Sequence, residues 1–167
     1  LQYYDIVEKN NMRLQELINE ILDLSKIESG MMEFNYAPVN LYKLCDDVKN
    51  TYRFRCQSGV DLIFEQSDRS LYISTDRNRL FQIFSNLIGN ATKFTQKGHI
   101  SFGYKKVDNQ IIFHVTDTGT GIPAEKLPKI FDRFMMANDN VAGTGLRLSI
   151  SKIIAEKLGG KIWVNSK

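Results

Sequence analysis

The chain has 167 residues, enough for one domain with an appendage, and a domain of this length buries roughly 68–70% of the surface its unfolded form exposes. With 43% hydrophobic and 25% charged residues the composition is that of a folded globular protein, which excludes disorder and any need for disulfide staples. A net charge of +3 with no Lys/Arg run excludes nucleic acid or a membrane surface as the main partner.

Residues 1–29 read as one helix, in which Val7, Leu14 and Ile21 recur every seven positions. Leu17 and Leu24 take the intervening positions, Asn10 extends that second row, and Ile6, Ile18 and Ile27 widen the stripe. At ~1.5 Å per residue the helix is roughly 40 Å long. Its stripe either packs on the following domain or, the preferred reading, joins a hairpin or bundle completed by residues outside the chain or by a second copy. Glu16, Glu20, Asp23 and Lys26 are expected on the outer faces, and Gly30 closes the helix as a C-terminal cap.

From Met31 the periodicity changes. An extended entry with Pro38 leads to a helix ending near Gly59, and "VDLIFEQS" and "LYIST" alternate as strands. Asp76 looks like the cap of a long helix with an apolar stripe at Leu80, Ile83, Phe84, Leu87 and Ile88. "HISFGYKKV" and "QIIFHVTD" form a hairpin-like pair. A Gly-rich turn, a short helix "AEKLPKIFDRF", a polar loop, the helix "LRLSISKIIAEKL" and a strand "KIWVN" follow. This order predicts an α+β fold, a two-layer sandwich of one mixed β-sheet with helices on one face, preceded by the long N-terminal helix. No stretch is apolar for long enough to cross a bilayer and the opening "LQYYDIVEKNN" lacks a signal-peptide pattern, so an anchor of any parent protein is expected outside this chain.

Cys45 and Cys56, eleven residues apart in a helical pattern, read as small core residues in a reduced compartment. His99 and His114 lie in alternating strand-like runs without ligands at metal spacing, and both read as structural.

Three separated clusters can carry chemistry. Asn86, Asn90 and Lys93 share one helical face in "SNLIGNATKFT". In "DTGTGIP", Asp117 ends a strand and Gly119 and Gly121 open a turn, which lets a planar ligand approach the backbone while the carboxylate accepts from an amino group. In "AGTGLRLSI", Gly143, Thr144 and Gly145 feed a helix start, an arrangement that offers N–H groups to phosphate. Each alone reads equally as a solvated face, a plain glycine turn or a helix N-terminus; their order and spacing carry more than any one.

In combination "NLIGNATKFT", "DTGTGIP", "FDRF" and "GTGLRLSISK" resemble the asparagine box, first glycine box, phenylalanine box and second glycine box of sensor histidine kinases. "LINEILDLSKIESG" resembles the second dimerisation helix that precedes that domain. The resemblance implies residues 1–30 as that helix, with the first helix absent, and residues 31–167 as the catalytic ATP-binding domain lacking its final strand. It implies a protein-histidine kinase of a two-component system, moving the ATP γ-phosphate to a histidine outside the chain, so that the chain alone does not label itself. Asn90, assisted by Asn86, would bind Mg²⁺ on the ATP phosphates, and Lys93 would pair with phosphate oxygens. Asp117 would accept from the adenine amine, with Gly119, Gly121 and Ile122 admitting the purine. Phe131 and Phe134 would anchor the lid "MMANDNVA", and Gly143, Thr144, Gly145, Leu146 and Arg147 would meet the triphosphate. The implied partners are a second copy, through residues 1–29 of the parent, and a response regulator receiver domain. The implied location is cytoplasmic, with a parent that can be anchored in the inner membrane, and neither nucleic acid nor direct membrane contact is expected of this segment.

The second glycine box departs from the family pattern at Arg147, where a third glycine is usual. Its side chain either crowds the phosphates or pairs with them. Two other readings stay open: a nucleotide-free interaction module whose site Arg147 has disabled, and an ATPase of the same fold. The latter type has a Glu where Asn86 stands, and an amide cannot take a proton from water.

Overall fold

The computed structural model describes residues 2–65, 68–136 and 143–166. The expected lid therefore lies mostly outside the described residues. In chain order the elements are α1 (Gln2–Glu28), β1 (Ala37–Asn40), α2 (Leu41–Tyr52), β2 (Val60–Glu65), β3 (Tyr72–Thr75), α3 (Arg77–Phe94), β4 (Gly98–Val107), β5 (Gln110–Asp117) and α4 (Arg147–Lys157).

The main sheet has the order β2-β4-β5, with β2 parallel to β4 and β4 antiparallel to β5. It is a mixed sheet, and the fold is α+β. Strands β1 and β3 pair separately as an antiparallel ribbon, Ala37 opposite Thr75, so the single sheet expected is one sheet plus a ribbon. Both ribbon strands are only four residues long and lead straight into helices, which leaves no backbone to extend the larger sheet.

Period-two alternation sends Ile100, Phe102 and Tyr104 of the central strand β4 to one face, all essentially inaccessible to solvent. Onto that face α2 lays Leu41, Leu44, Cys45 and Val48, and α3 lays Leu80, Phe84 and Ile88. The Phe84 ring meets Phe102 and Phe113 edge-on, each with centroids 5.8 Å apart. Side-chain caps start both helices: Asn40 accepts from the Lys43 N–H at 2.9 Å and Asp76 from the Arg79 N–H at 3.0 Å. Asp76 also accepts from the Asn35 N–H at 2.8 Å, tying the entry segment to the start of α3.

A second apolar cluster joins α1 and α4. Leu146, Ile150 and Ile154 pack against Leu24, Ile27, Met32, Phe34, Ile83 and Leu158. The second row of α1 thus faces the domain, whereas Ile6, Val7, Leu14, Ile18 and Ile21 each keep half or more of their surface exposed. Gly30 caps α1 at φ +68°, as expected.

Three local expectations are corrected. The helix α2 stops at Tyr52, so Cys56 sits in the turn after it, half-buried, while Cys45 is in the core with its thiol pushed up to about 12 by burial. "AEKLPKIFDRF" forms only a short 3₁₀ turn, Leu127–Lys129, because Pro128 has no N–H to continue a helix. "KIWVN" is not a strand, and runs irregularly along the cleft that β5 also lines. The outward placement of Glu20 and Asp23 is corrected below, whereas Glu16 is exposed as expected.

Because Phe84 bridges helix layer and sheet, Phe84→Ala should lower the unfolding free energy by about 3–5 kcal/mol in a urea titration.

Candidate active site

The cleft is built by α3, the end of β5, the start of α4 and one face of α1. Helical spacing places Asn90 and Lys93 on the side of α3 away from Phe84, and both line the cleft. The Lys93 side chain stays exposed, yet desolvation by its neighbours pulls the ammonium below its ordinary value; the Arg147 charge adds to this, and Glu16 and Glu20 oppose it. Asn86 turns elsewhere. Its amide donates to the Arg147 carbonyl at 3.3 Å and to Ser151 Oγ at 3.0 Å, tying α3 to the first turn of α4 beside a smaller pocket.

Asp117 pairs in register with Ile100, so it shares the helix-facing side of β5 with Phe113 and Val115. Its Oδ1 accepts from the Gly119 N–H at 2.8 Å, closing an Asx turn. Gly119 is required there: a Cβ would stand 2.6 Å from the Phe94 carbonyl oxygen and 2.7 Å from Asp117 Oδ1. The Thr120 N–H donates to that same carbonyl at 3.3 Å, which pins the turn to the end of α3, and the Ile122 N–H donates to Ser166 Oγ at 2.8 Å.

The second glycine loop is held from below. At Gly145, φ is +70° and a Cβ would lie 2.5 Å from the Phe134 carbonyl carbon, while the Phe134 N–H donates to the Gly145 carbonyl at 2.9 Å. Thr144 Oγ1 accepts from the Leu146 N–H at 3.2 Å and donates to Glu20 of α1. Arg147 opens α4, with its Nε on Glu20 and its Nη2 on Glu16, each at 2.7 Å. Burial opposes its charge, and the hydrogen bond and charges of the two glutamates outweigh that and raise its pKa.

Among the residues singled out in the sequence, Asn90, Lys93, Asp117, Gly119, Gly121, Ile122, Phe131, Gly143, Thr144, Gly145 and Arg147 line one cleft of about 1070 Å³. Three of that set do not. Asn86 braces α4, Phe134 is exposed, and Leu146 is buried in the α1–α4 cluster. The wall that sequence reasoning missed is α1: Asn10, Arg13, Glu16 and Glu20 also line the cleft. Glu20 retains 12% of its side-chain exposure and Asp23 accepts from the Gln82 amide at 2.7 Å, so these carboxylates face inward, drawn by cations and amides of α3 and α4. No period in α1 distinguishes that polar face from a solvated one. Among the described residues no group of three His, Cys, Asp or Glu side chains could hold a metal, and no helix is long and apolar enough to cross a membrane.

Comparison with known proteins places the chain in a family. The family described as histidine kinase-, DNA gyrase B- and HSP90-like ATPase covers residues 75–167. The chain belongs to that family, and its catalytic domain is homologous to those of sensor histidine kinases. It is 36% identical over its full length to the autoinducer 2 sensor kinase/phosphatase LuxQ of Vibrio vulnificus, of which it covers 21%. The crystal structure of full-length ShkA in complex with AMPPNP superposes with a TM-score of 0.83 at 28% identity, over 95% of this chain and 34% of that one. The histidine kinase ThkA, in complex with the response regulator TrrA, matches with a TM-score of 0.76 at 27% identity, over 99% and 47%. The chain thus spans about a fifth of the LuxQ relative's length.

The two glycines of the second loop differ in what they permit, since among the described residues a Cβ at Gly143 would meet only Met136 Sδ, at 3.8 Å. Gly145→Ala should therefore destabilise by about 1–3 kcal/mol, and Gly143→Ala should change stability by less than about 0.5 kcal/mol, as read from thermal unfolding of the two variants.

Proposed function

We propose that the cleft binds Mg-ATP and presents its γ-phosphate to a histidine outside residues 1–167, as the catalytic half of a two-component sensor kinase. The observation that carries this reading is the convergence of Asp117, Asn90, Lys93 and the loop 143–145 on one cleft. Asp117 keeps acceptor capacity beyond its bond to Gly119, which suits the exocyclic amine of adenine and disfavours the carbonyl that guanine carries there. Gly119 and Gly121 keep the floor open to a flat ring. Thr144, Gly145 and the positive end of α4 suit phosphate oxygens, and Lys93 supplies a mobile cation.

The donor set fits a magnesium ion carried in by the nucleotide. Mg²⁺ takes few protein ligands and is held largely by phosphates and water, so the side-chain oxygen of Asn90 suffices where the described residues form no group of three metal-ligating side chains. Asn86, which the resemblance makes its helper, is committed to α4 and stands outside the cleft. Bound Mg-ATP supplies the phosphoryl group, and the residues of this chain position it and balance its charge. Neither His99 nor His114 suits the acceptor role, for both lie in strands. The ATPase reading fares less well, because Asn86 offers an amide and not a base.

Residues 1–30 serve as a helix of the dimerisation element and residues 31–167 as the catalytic domain. The exposed row Val7, Leu14 and Ile21 suits a bundle with a second copy. A response regulator receiver domain is the proposed downstream partner, as in the ThkA–TrrA complex, and the parent works in the cytoplasm, with or without an inner-membrane anchor.

Calorimetric titration with Mg-AMPPNP should show Asp117→Ala binding at least about 10-fold more weakly than wild type, a cost of about 1.4 kcal/mol, with unchanged circular dichroism; equal affinities would remove Asp117 from the adenine site. Incubation with γ-labelled ATP should leave the chain without acid-labile, base-stable label, and a phosphohistidine on it would contradict the external acceptor.

A further inference from the structure

Arg147 stands where the nucleotide reading needs a phosphate ligand, and its guanidinium is already engaged. Two of its five N–H donors meet Glu20 Oε1 and Glu16 Oε2, each at 2.7 Å. Glu16 and Glu20 are one helical turn apart on α1 and so form a carboxylate pair matched to one planar fork. Glu20 also accepts from the Thr144 hydroxyl, in the middle of the second glycine loop. The contact is seated. The Arg147 side chain retains 19% exposure and Glu20 12%, Glu16 closes the pair from the rim with 55%, and room for the guanidinium comes from Gly89, where a Cβ would stand 3.2 Å from Nη1. Every one of these groups except Gly89 lines the same cleft as Asn90, Lys93 and Asp117.

The carboxylates therefore satisfy the donors that a polyphosphate in this cleft would need. We propose that Arg147 exchanges the Glu16–Glu20 pair of α1 for the phosphates of the nucleotide, so that docking of α1 and binding of a nucleoside triphosphate compete. This rests on the nucleotide reading of the cleft. The competition is electrostatic. With the glutamates in place, an entering triphosphate meets two carboxylates; with them gone, Arg147 and Lys93 are left as neighbouring cations that only an anion can balance. Release need not detach the whole helix. Leu24 and Ile27 remain packed on Ile150 and Ile154, while the described residues from Tyr3 to Glu16 are exposed at every position with an assigned burial. The amino-terminal half of α1 is thus held to the cleft chiefly by the ion pairs, and it can swing on its apolar carboxy-terminal half.

Linkage makes the competition reciprocal: whatever frees α1 favours nucleotide, and nucleotide frees α1 by the same factor. The double variant Glu16→Gln/Glu20→Gln, which keeps size and removes charge, should bind Mg-AMPPNP about 5- to 20-fold more tightly than wild type, with adenosine affinity unchanged. In the wild-type chain, saturating Mg-AMPPNP should raise hydrogen exchange over residues 8–18 of α1, and adenosine should leave it unaltered. Equal or weaker Mg-AMPPNP binding by the double variant, or exchange in α1 that does not rise, overturns the latch while adenosine binding keeps the nucleotide reading. Failure of every protein to bind either ligand overturns both.

Discussion

The packing of α3 on the mixed sheet fixes everything the cleft needs. One side of that helix spends Leu80, Phe84 and Ile88 on the sheet, and this sets its rotation, its distance and the height at which it ends. Rotation then dictates that Asn90 and Lys93 emerge opposite the core, and the terminal carbonyl of Phe94 becomes the post on which the turn after Asp117 hangs. A helix free to roll by one residue would carry the amide and the ammonium out of the cleft together. The apolar layer is the positioning device for polar groups it never touches.

The two glycine segments use different devices for one end. At Gly119 the constraint is steric, since backbone from α3 passes within contact distance of where a side chain would begin. At Gly145 it is steric and conformational at once, because a positive φ and the Phe134 backbone coincide. Both turns are thereby locked to neighbouring backbone through main-chain hydrogen bonds, so their shape is set before any ligand arrives.

Much of this was legible in the sequence, and the boundary of legibility follows physical range. Capping at Asp76, the apolar stripe of α3 and the glycine turns are local: spacing and residue type decide them within a few positions. Pro128 shortened a helix that the apolar pattern had extended, a local signal outweighed by periodicity. The roles of Asn86 and of the α1 acids were hidden for another reason. Asn86 has the same spacing from Asn90 as a true cleft residue would, and only the approach of α4 decides that its amide braces Arg147 and Ser151. Glu16 and Glu20 look like an ordinary solvated pair until α1 is laid against α4, a placement set by Leu24 and Ile27 one to three turns further along the same helix, at ~1.5 Å per residue.

Arg147 draws these strands together. A long cation in a glycine-rich box reads from sequence as an obstruction, yet Gly89 leaves it room and α1 gives it counter-charge. Its position at the first residue of α4 puts a positive side chain beside the positive end of a helix, which is unfavourable unless an anion stands nearby. In this structure the anion is a pair of carboxylates from another element. A cleft that carries Arg147, Lys93 and a helix N-terminus on one wall must always be balanced, and the identity of the balancing anion decides whether α1 is held or free.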